Sequence, residues 1–281
     1  MFQTKSILDF NNDIAVIMSV YKNDELEKVK LAINSIFNQM NSHPVLFIYI
    51  DGILPDNIYD YLLDINKKNQ VVLIASPINK GLANALNTLI SEILKYDNIK
   101  FIARMDSDDI SLPNRFFLQK NFLTNNPSID ILGAACEEFG VDYALRKKKL
   151  PCEHDELADF SITRCPFIHP SVMFRRRVFE QGNRYPTHTC FTEDMAFWLE
   201  LLYKNYKFHN LPDVLLRYRL EENTMSRRSG LSKAKSEVSL RLGYMFLLNK
   251  FSFKNMLLIY SRYFFHLLPP KIMSLAYKHL R

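Results

Sequence analysis

A chain of 281 residues, 48% of them hydrophobic, can bury the core of one large domain or of a domain with a sizeable appendage. Seven glycines and twelve prolines exclude fibrous, disordered and low-complexity classes, and no fixed-period repeat points to a solenoid or propeller. The net charge of +6 is unevenly placed: residues 1–203 hold 21 Lys/Arg against 26 Asp/Glu, and residues 204–281 hold 15 against four, which implies a basic tail facing an anionic partner.

The first nine residues lack the apolar run and small-residue cleavage site of a secretion signal. Nowhere do about 18 apolar residues run together. A cytoplasmic protein is expected. Cys136, Cys152, Cys165 and Cys190 form no C-x-x-C pair and read as reduced thiols, neither zinc ligands nor a disulfide framework.

In chain order, residues 14–21 form a continuous apolar run of buried-strand type. Leu26, Val29, Ile33, Ile36 and Phe37 follow at helical spacing. Residues 45–50 are again a buried strand, closing on Asp51-Gly52. A helix around 58–65, a strand at 71–75, a helix over 81–94 and a strand at 101–103 complete a crossover rhythm that predicts a mostly parallel sheet. Ligands of such sheets lie beyond the carboxyl ends of the strands, where Tyr21, Asp51 and Asp106 fall. The second half is less regular. Strands are expected at 129–135 and 171–174, an exposed basic turn at Arg146-Lys147-Lys148-Lys149, and a helix after Thr192-Glu193-Asp194 with Met195, Trp198, Leu199 and Leu202 on one face.

Three segments carry the chemistry. Met105-Asp106-Ser107-Asp108-Asp109 suits either an oxygen-ligated divalent cation or a turn with an Asp helix cap before Ser111-Leu112-Pro113. Asn79-Lys80-Gly81 opens a helix, either as amides plus a lysine that favour a diphosphate or as an ordinary cap and turn. Glu193-Asp194 supplies either a general base or acids that suit a helix N-terminus.

Taken in order and spacing, Ile17-Met18-Ser19-Val20-Tyr21, Ile50-Asp51-Gly52, the run from Asn79 to Asn87, Arg104 through Asp109, and Thr192-Glu193-Asp194 resemble the family-2 inverting glycosyltransferases of GT-A fold. Within that family the chain looks like the bacterial polysaccharide and O-antigen branch that includes the amylovoran-type enzymes. The likeness covers about residues 12–225. It implies an α/β, Rossmann-like, mostly parallel sheet flanked by helices in a glycosyltransferase domain over residues 1–225, with a basic, aromatic-rich helical region over 226–281.

The resemblance also implies roles. Val20, Tyr21 and Asp51 would line the nucleotide pocket, with Asp51 accepting from the base, and Lys80 would favour the diphosphate. Asp106 and Asp108 would form the pair that depends on Mn²⁺ or Mg²⁺. Asp108 would be the direct ligand, Asp106 would hold ribose or a metal-bound water, and Asp109 would cap the next helix. Arg104 would orient these carboxylates. Asp194 would be the catalytic base, with Glu193 and His169 near the acceptor. Residues 217–227 resemble the family's flexible segment that closes over the donor. Many relatives carry His near position 221 or 222; here Arg217, Arg219 or Arg227 would meet phosphate instead. Leu86 stands where many relatives have Arg.

The implied reaction is inverting, metal-dependent transfer of a hexose from a nucleotide sugar such as UDP-Gal or UDP-Glc. The acceptor would be a lipid-diphosphate-linked sugar or oligosaccharide in O-antigen, capsule or exopolysaccharide assembly, with a β-1,3 linkage. A sugar-nucleotide nucleotidyltransferase would need a Gly-rich loop after the first strand, and Ser19 to Asp24 contain no glycine. A non-catalytic basic binding protein would not need Asp106, Asp108 and Asp194 together, and no nucleic-acid partner is expected. After Asn223, 11 Lys/Arg and one acid interleave with Phe, Tyr and Leu. This pattern suits a helix in the interface of the inner membrane's cytoplasmic face, or one packed on the catalytic domain.

Overall fold

The computed structural model describes residues 12–68, 71–189, 192–222, 230–269, 272 and 273. Four strands lie parallel in the order β3-β2-β1-β4: β1 (Ile14–Tyr21), β2 (Val45–Asp51), β3 (Val71–Ser76) and β4 (Phe101–Arg104). The crossovers are α1 (Leu26–Phe37), α2 (Asp56–Lys68) and α3 (Leu82–Ile93). These strands read as unbroken apolar runs because both faces are covered. Val16, Met18 and Val20 join one core with Ile33 of α1 and Leu62 of α2. The alternate residues Ala15 and Ile17 join the other with Leu86 and Leu89 of α3.

The sheet continues from β4 through β7 (Met173–Arg175), β6 (Ile131–Phe139) and β8 (Phe208–Arg219) to β5 (Ile110–Ser111). In a flat sheet β4 and β5 would lie four strand spacings apart, about 19 Å. Only Met105 to Asp109 connect them, and that link includes a turn. The sheet therefore curls. Its far edge returns to α1, where Ser111 N donates to Ser35 Oγ (2.9 Å) and Gln39 Nε2 to Leu112 O (3.0 Å). The remaining helices of this part are α4 (Arg115–Asn125), α5 (His154–Thr163), the short α6 (Arg176–Glu180) and α7 (Glu193–Tyr203).

Four expectations change. The strand placed at 171–174 begins later, because Pro170 offers no N–H to a ladder and His169–Ser171 form a 3-10 turn before β7. The strand at 129–135 runs instead from Ile131 to Phe139. The basic turn is pinned as a bridge on β6, with Lys148 N donating to Cys136 O (2.8 Å) and Cys136 N to Lys148 O (3.1 Å). Strand β8 was hidden by Pro212, which the register shifts between β6 and β8 leave outside the ladder. Helix α7, expected to bury one face, buries Ala196, Phe197 and Leu201 as well. Cys136, Cys152 and Cys165 are free thiols; Cys190 lies outside the described residues.

Helices α8 (Leu231–Leu247) and α9 (Phe253–Leu267) form a hairpin that packs on α5 through Ile162, Val238, Met245 and Ile259. The residue 225 boundary falls outside the described residues. Glu237 is the polar centre of this hairpin. Its Oε1 accepts from Arg241 Nε (2.8 Å) and Arg262, and its Oε2 lies 2.6 Å from His266 Nε2. Burial would raise the Glu237 carboxyl, but the His266 hydrogen bond and the charges of Arg241 and Arg262 outweigh it and hold the group well below the usual range. Among the described residues no helix is long and apolar enough to cross a membrane.

Removing the carboxylate would leave Arg241, 1% exposed, without its counter-charge. Glu237→Gln is expected to cost about 3–5 kcal/mol in urea unfolding of the full chain, and a loss below about 1 kcal/mol would rule out this role. Because the folded pKa is depressed, the contribution is complete above the ordinary glutamate range and is lost as pH falls through the folded value.

Candidate functional site

The parallel strands deliver three carboxyl ends to one edge. Tyr21 of β1 stands in register with Asp51 of β2, and Ile17 with Arg104 of β4. Asp51 is buried, and its two oxygens accept from Lys80 N (2.7 Å) and Gly81 N (3.0 Å). It thereby ties the end of β2 to the start of α3. Gly52 and Gly81 permit this, with φ of +93° and +83°, and the Asn79 backbone comes within 3.3 Å of where a Gly52 Cβ would stand. The helix-start amides expected to favour a diphosphate are thus engaged by Asp51. The exposed Lys80 side chain stands at the rim, and Val20 is buried behind Tyr21. Leu86 packs into the core.

The short β4–β5 link carries the acids. Asp109 Oδ1 accepts from Arg219 N (2.7 Å), and Arg219 Nε donates to Asp108 O (2.8 Å), so strand β8 fixes the loop. Arg104, 1% exposed, places its guanidinium against Asp106 Oδ1. Arg115 Nη2 donates to Arg104 O (2.8 Å) beneath it. Asp109 is no helix cap. It is wholly buried, and the residue that precedes α4 is Asn114.

Asp106, Asp108 and Asp109 each bring one carboxylate oxygen within 4.8 Å of the others. Asp109 Oδ2 is buried without a hydrogen-bond partner. Burial, with the Asp108 charge beside it, raises the Asp109 carboxyl well above the usual range, and burial together with Glu221 raises Asp108. Asp24, whose Oδ2 accepts from Tyr21 N (2.9 Å), is pushed up by burial to about 6, with Asp108 and Glu221 adding to the rise. An orphaned carboxylate oxygen among like charges is costly unless a cation joins it. An all-oxygen donor set fits a hard divalent ion such as Mg²⁺ or Mn²⁺.

Asp194 sits in the first turn of α7, half-buried, with Oδ1 accepting from Met195 N (2.7 Å). Burial raises its carboxyl, while that amide and the Lys233 charge pull it back. Glu193 is raised by burial as well. The helix is held by an aromatic cluster: the Trp198 ring lies 5.0 Å from Phe167, 5.6 Å from Phe174 and 5.9 Å from His169. His169 Nε2 meets Tyr185 Oη at 3.1 Å. Burial, reinforced by the Arg104 charge, drops the imidazole well below its usual pKa, so it is neutral.

Arg104, Asp106, His169 and Asp194 all line one cavity of about 1150 Å³. Two residue sets separated by some 88 positions in sequence are thus brought to one wall. Arg217 and Arg219, expected to reach phosphate, are committed elsewhere: Arg217 Nε donates to Glu137 Oε2 (3.2 Å), and both guanidinium groups cover the Phe139 ring. They belong to β8, not to a flexible segment; Arg227 lies outside the described residues. Sequence reasoning passed over Asp24, and gave Asp109 too small a part. A carboxylate three residues past a strand end, poised to turn back on its amide, is the signal that was available for Asp24.

The chain is 28% identical over 265 residues to the amylovoran biosynthesis glycosyltransferase AmsE of Erwinia amylovora, covering 94% of this chain and 97% of that one. It is 28% identical over 271 residues to the UDP-Gal:alpha-D-GlcNAc-diphosphoundecaprenol beta-1,3-galactosyltransferase of Escherichia coli, covering 94% of each. Among solved structures, the mannosyltransferase PcManGT of Pyrobaculum calidifontis, in complex with GDP-Man and Mn2+, superposes with a TM-score of 0.61 at 14% identity over 97% of this chain and 74% of that one, a likeness of fold. The model described as "Glycosyl transferase family 2" matches residues 15–183, more than half of the length, and the chain belongs to that family.

Proposed function

We propose that this glycosyltransferase moves a hexose from a UDP-sugar to a sugar carried on a lipid diphosphate, with inversion, in assembly of a surface polysaccharide. The observation that carries the reading is a shared cavity: Asp106, one of the three clustered acids that suit a donor diphosphate, and Asp194, a half-buried carboxylate that suits an acceptor hydroxyl, both line it. The lipid-linked acceptor and the β-1,3 linkage are supported by the named activity of the Escherichia coli relative, to which the chain aligns almost end to end. UDP-Gal and UDP-Glc are the donors to test first.

In the proposed step the acceptor oxygen attacks the anomeric carbon from the face opposite the diphosphate. The carbon–oxygen bond to UDP breaks with its electron pair leaving on UDP, and the configuration inverts. Asp194 takes the hydroxyl proton. Asp106, Asp108 and Asp109 would hold Mg²⁺ or Mn²⁺, which supplies charge stabilisation to the leaving diphosphate. Arg104 keeps Asp106 aimed, Glu193 and the neutral His169 bound the acceptor, and Val20, Tyr21, Asp51 and Lys80 bound the nucleotide. Each Asp51 oxygen already accepts one amide, so a base N–H would take a further lone pair.

Membrane contact belongs to the same reading. Phe253, Leu257, Tyr260, Phe264 and Leu267 recur at spacings of four and three along α9 and are 76%, 72%, 47%, 67% and 44% exposed. An apolar stripe on a helix from a strongly basic region suits the interface of an anionic leaflet.

Asp194→Asn should lower kcat by about 10²–10⁴-fold while UDP affinity stays within about twofold; near wild-type turnover would show that the base lies elsewhere. The base must be deprotonated and its pKa is raised, so the acidic limb of the kcat profile should lie above the ordinary carboxylate range. Since Lys233 lowers that pKa, Lys233→Met should move the limb to higher pH, and an unmoved limb would exclude Asp194 as its source. Asp109→Asn should abolish the extra thermal stabilisation that Mn²⁺ adds to UDP, and an unchanged shift in Tm would remove Asp109 from the cation site.

A further inference from the structure

Helix α4 turns a half-polar face inward. Of the residues it buries, Phe116 and Leu123 are apolar, whereas Arg115 and Gln119 are polar and 0% exposed. A buried guanidinium and a buried amide are unfavourable unless their donors find partners, and an apolar pair of similar volume would serve the core as well. The reason for this pair lies in what it connects.

The two side chains form one strut. Gln119 Oε1 accepts from Arg115 Nε (3.1 Å). At one end Arg115 Nη2 donates to Arg104 O (2.8 Å), and Nη1 lies 3.3 Å from Met105 Sδ. At the other end Gln119 Nε2 donates to Ser171 O (2.8 Å) and Leu132 O (3.3 Å). Arg104 and Met105 lead into the link that carries the acid cluster, and Ser171 closes the 3-10 turn that carries His169. Sheet pairing stops short of both segments. The last paired residues of β4 and β7 are Ala103 and Met173, and those of β6 and β7 are Leu132 and Met173. One further backbone bond, Arg104 N to Val172 O (2.9 Å), extends the pairing, and from there the strut takes over. Its base is fixed to α1, because Gln39 Oε1 accepts from Phe116 N (3.3 Å) while Gln39 Nε2 donates to Ser35 O (2.8 Å).

We infer that Arg115 and Gln119 are positioning residues for sugar transfer, setting the spacing between the acid loop and the turn that presents His169 to the cavity. The inference rests on the placement of the acceptor beside Asp194 and His169 proposed above. Neither residue lines that cavity, so both act through the segments they hold. A misplacement of about 1 Å far from the chemistry can lower a rate about 10²-fold, which is the scale on which such a strut matters. The residue types are those the geometry demands. The planar fork of arginine meets Arg104 O and Gln119 Oε1 at once, which the single ammonium of lysine does not reproduce. An amide accepts from Arg115 and donates to Ser171 O, whereas an ionised carboxylate only accepts.

Gln119→Glu keeps the partner of Arg115 and removes the donor to Ser171 O, while Gln119→Met removes both. Leu123→Ala opens a cavity under the same helix without touching the strut, and so reports loss of stability alone. In the full chain, both Gln119 variants are expected to lower kcat for transfer to the acceptor at least tenfold. Calorimetric UDP affinity with Mn²⁺, and slow hydrolysis of the UDP-sugar by water, should stay within about threefold of wild type. Arg115→Lys should show the same loss of kcat. Leu123→Ala is expected to lower Tm at least as far as the Gln119 variants while its ratio of transfer to hydrolysis stays at the wild-type value. An unchanged ratio in the Gln119 variants, full turnover in Arg115→Lys, or an equal fall in Leu123→Ala overturns the positioning role. A wild type that binds UDP with Mn²⁺ but transfers to no lipid-linked or free glycan acceptor overturns the acceptor reading and this inference with it.

Discussion

The arrangement of the site depends on how little chain joins β4 to β5. Five residues must connect strands that stand at opposite ends of half the sheet, and that is possible only because the sheet curls back on α1. Three of those five residues are acids. The same geometric demand that bends the sheet therefore gathers Asp106, Asp108 and Asp109 and presses them against β8, whose Arg219 amide and guanidinium hold the loop. The clustered negative charge is unfavourable in itself, and the fold tolerates it by placing Arg104 and Arg115 directly beneath.

Charge is then distributed with direction. The strand ends carry the acid cluster, while Lys147, Lys149 and Lys233 line the cavity that Asp106 and Asp194 share. Asp51 shows how economically the first half is organised. One carboxylate closes β2, caps the entry to α3 through two amides, and still faces the strand edge where Tyr21 ends. The helix terminus is thereby satisfied from within the protein, with the Lys80 and Gly81 amides already engaged by the Asp51 carboxylate.

Much of this was legible in sequence, and the reason is physical. Parallel strands covered on both faces read as unbroken runs, so β1 to β4 and their crossover helices stand out. Carboxylates at strand ends inherit a position from topology, and Asp51 and Asp106 lie where that rule puts them. The second half was harder because its signals are non-local. Strand β8 contains Pro212 and three charged residues and keeps its pairing with β6 only by bulging, which leaves Pro212 and Asp213 outside the ladder. Asp109 looks like a cap until Arg219, 110 residues away, is seen to claim it. The basic tract at Lys147–Lys149 has no pattern that reveals its place on a cavity wall, since that depends on where α8 and α9 dock.

The aromatic cluster under α7 has an optical consequence. Trp198 is the chain's single tryptophan, it is fully buried, and it lies one helical turn after Asp194 with its ring edge-on to His169. Tryptophan emission from this protein thus originates at one point, directly behind His169 on the wall of the cavity. The unaltered chain carries its own fluorophore at the place where a spectroscopist would choose to install one.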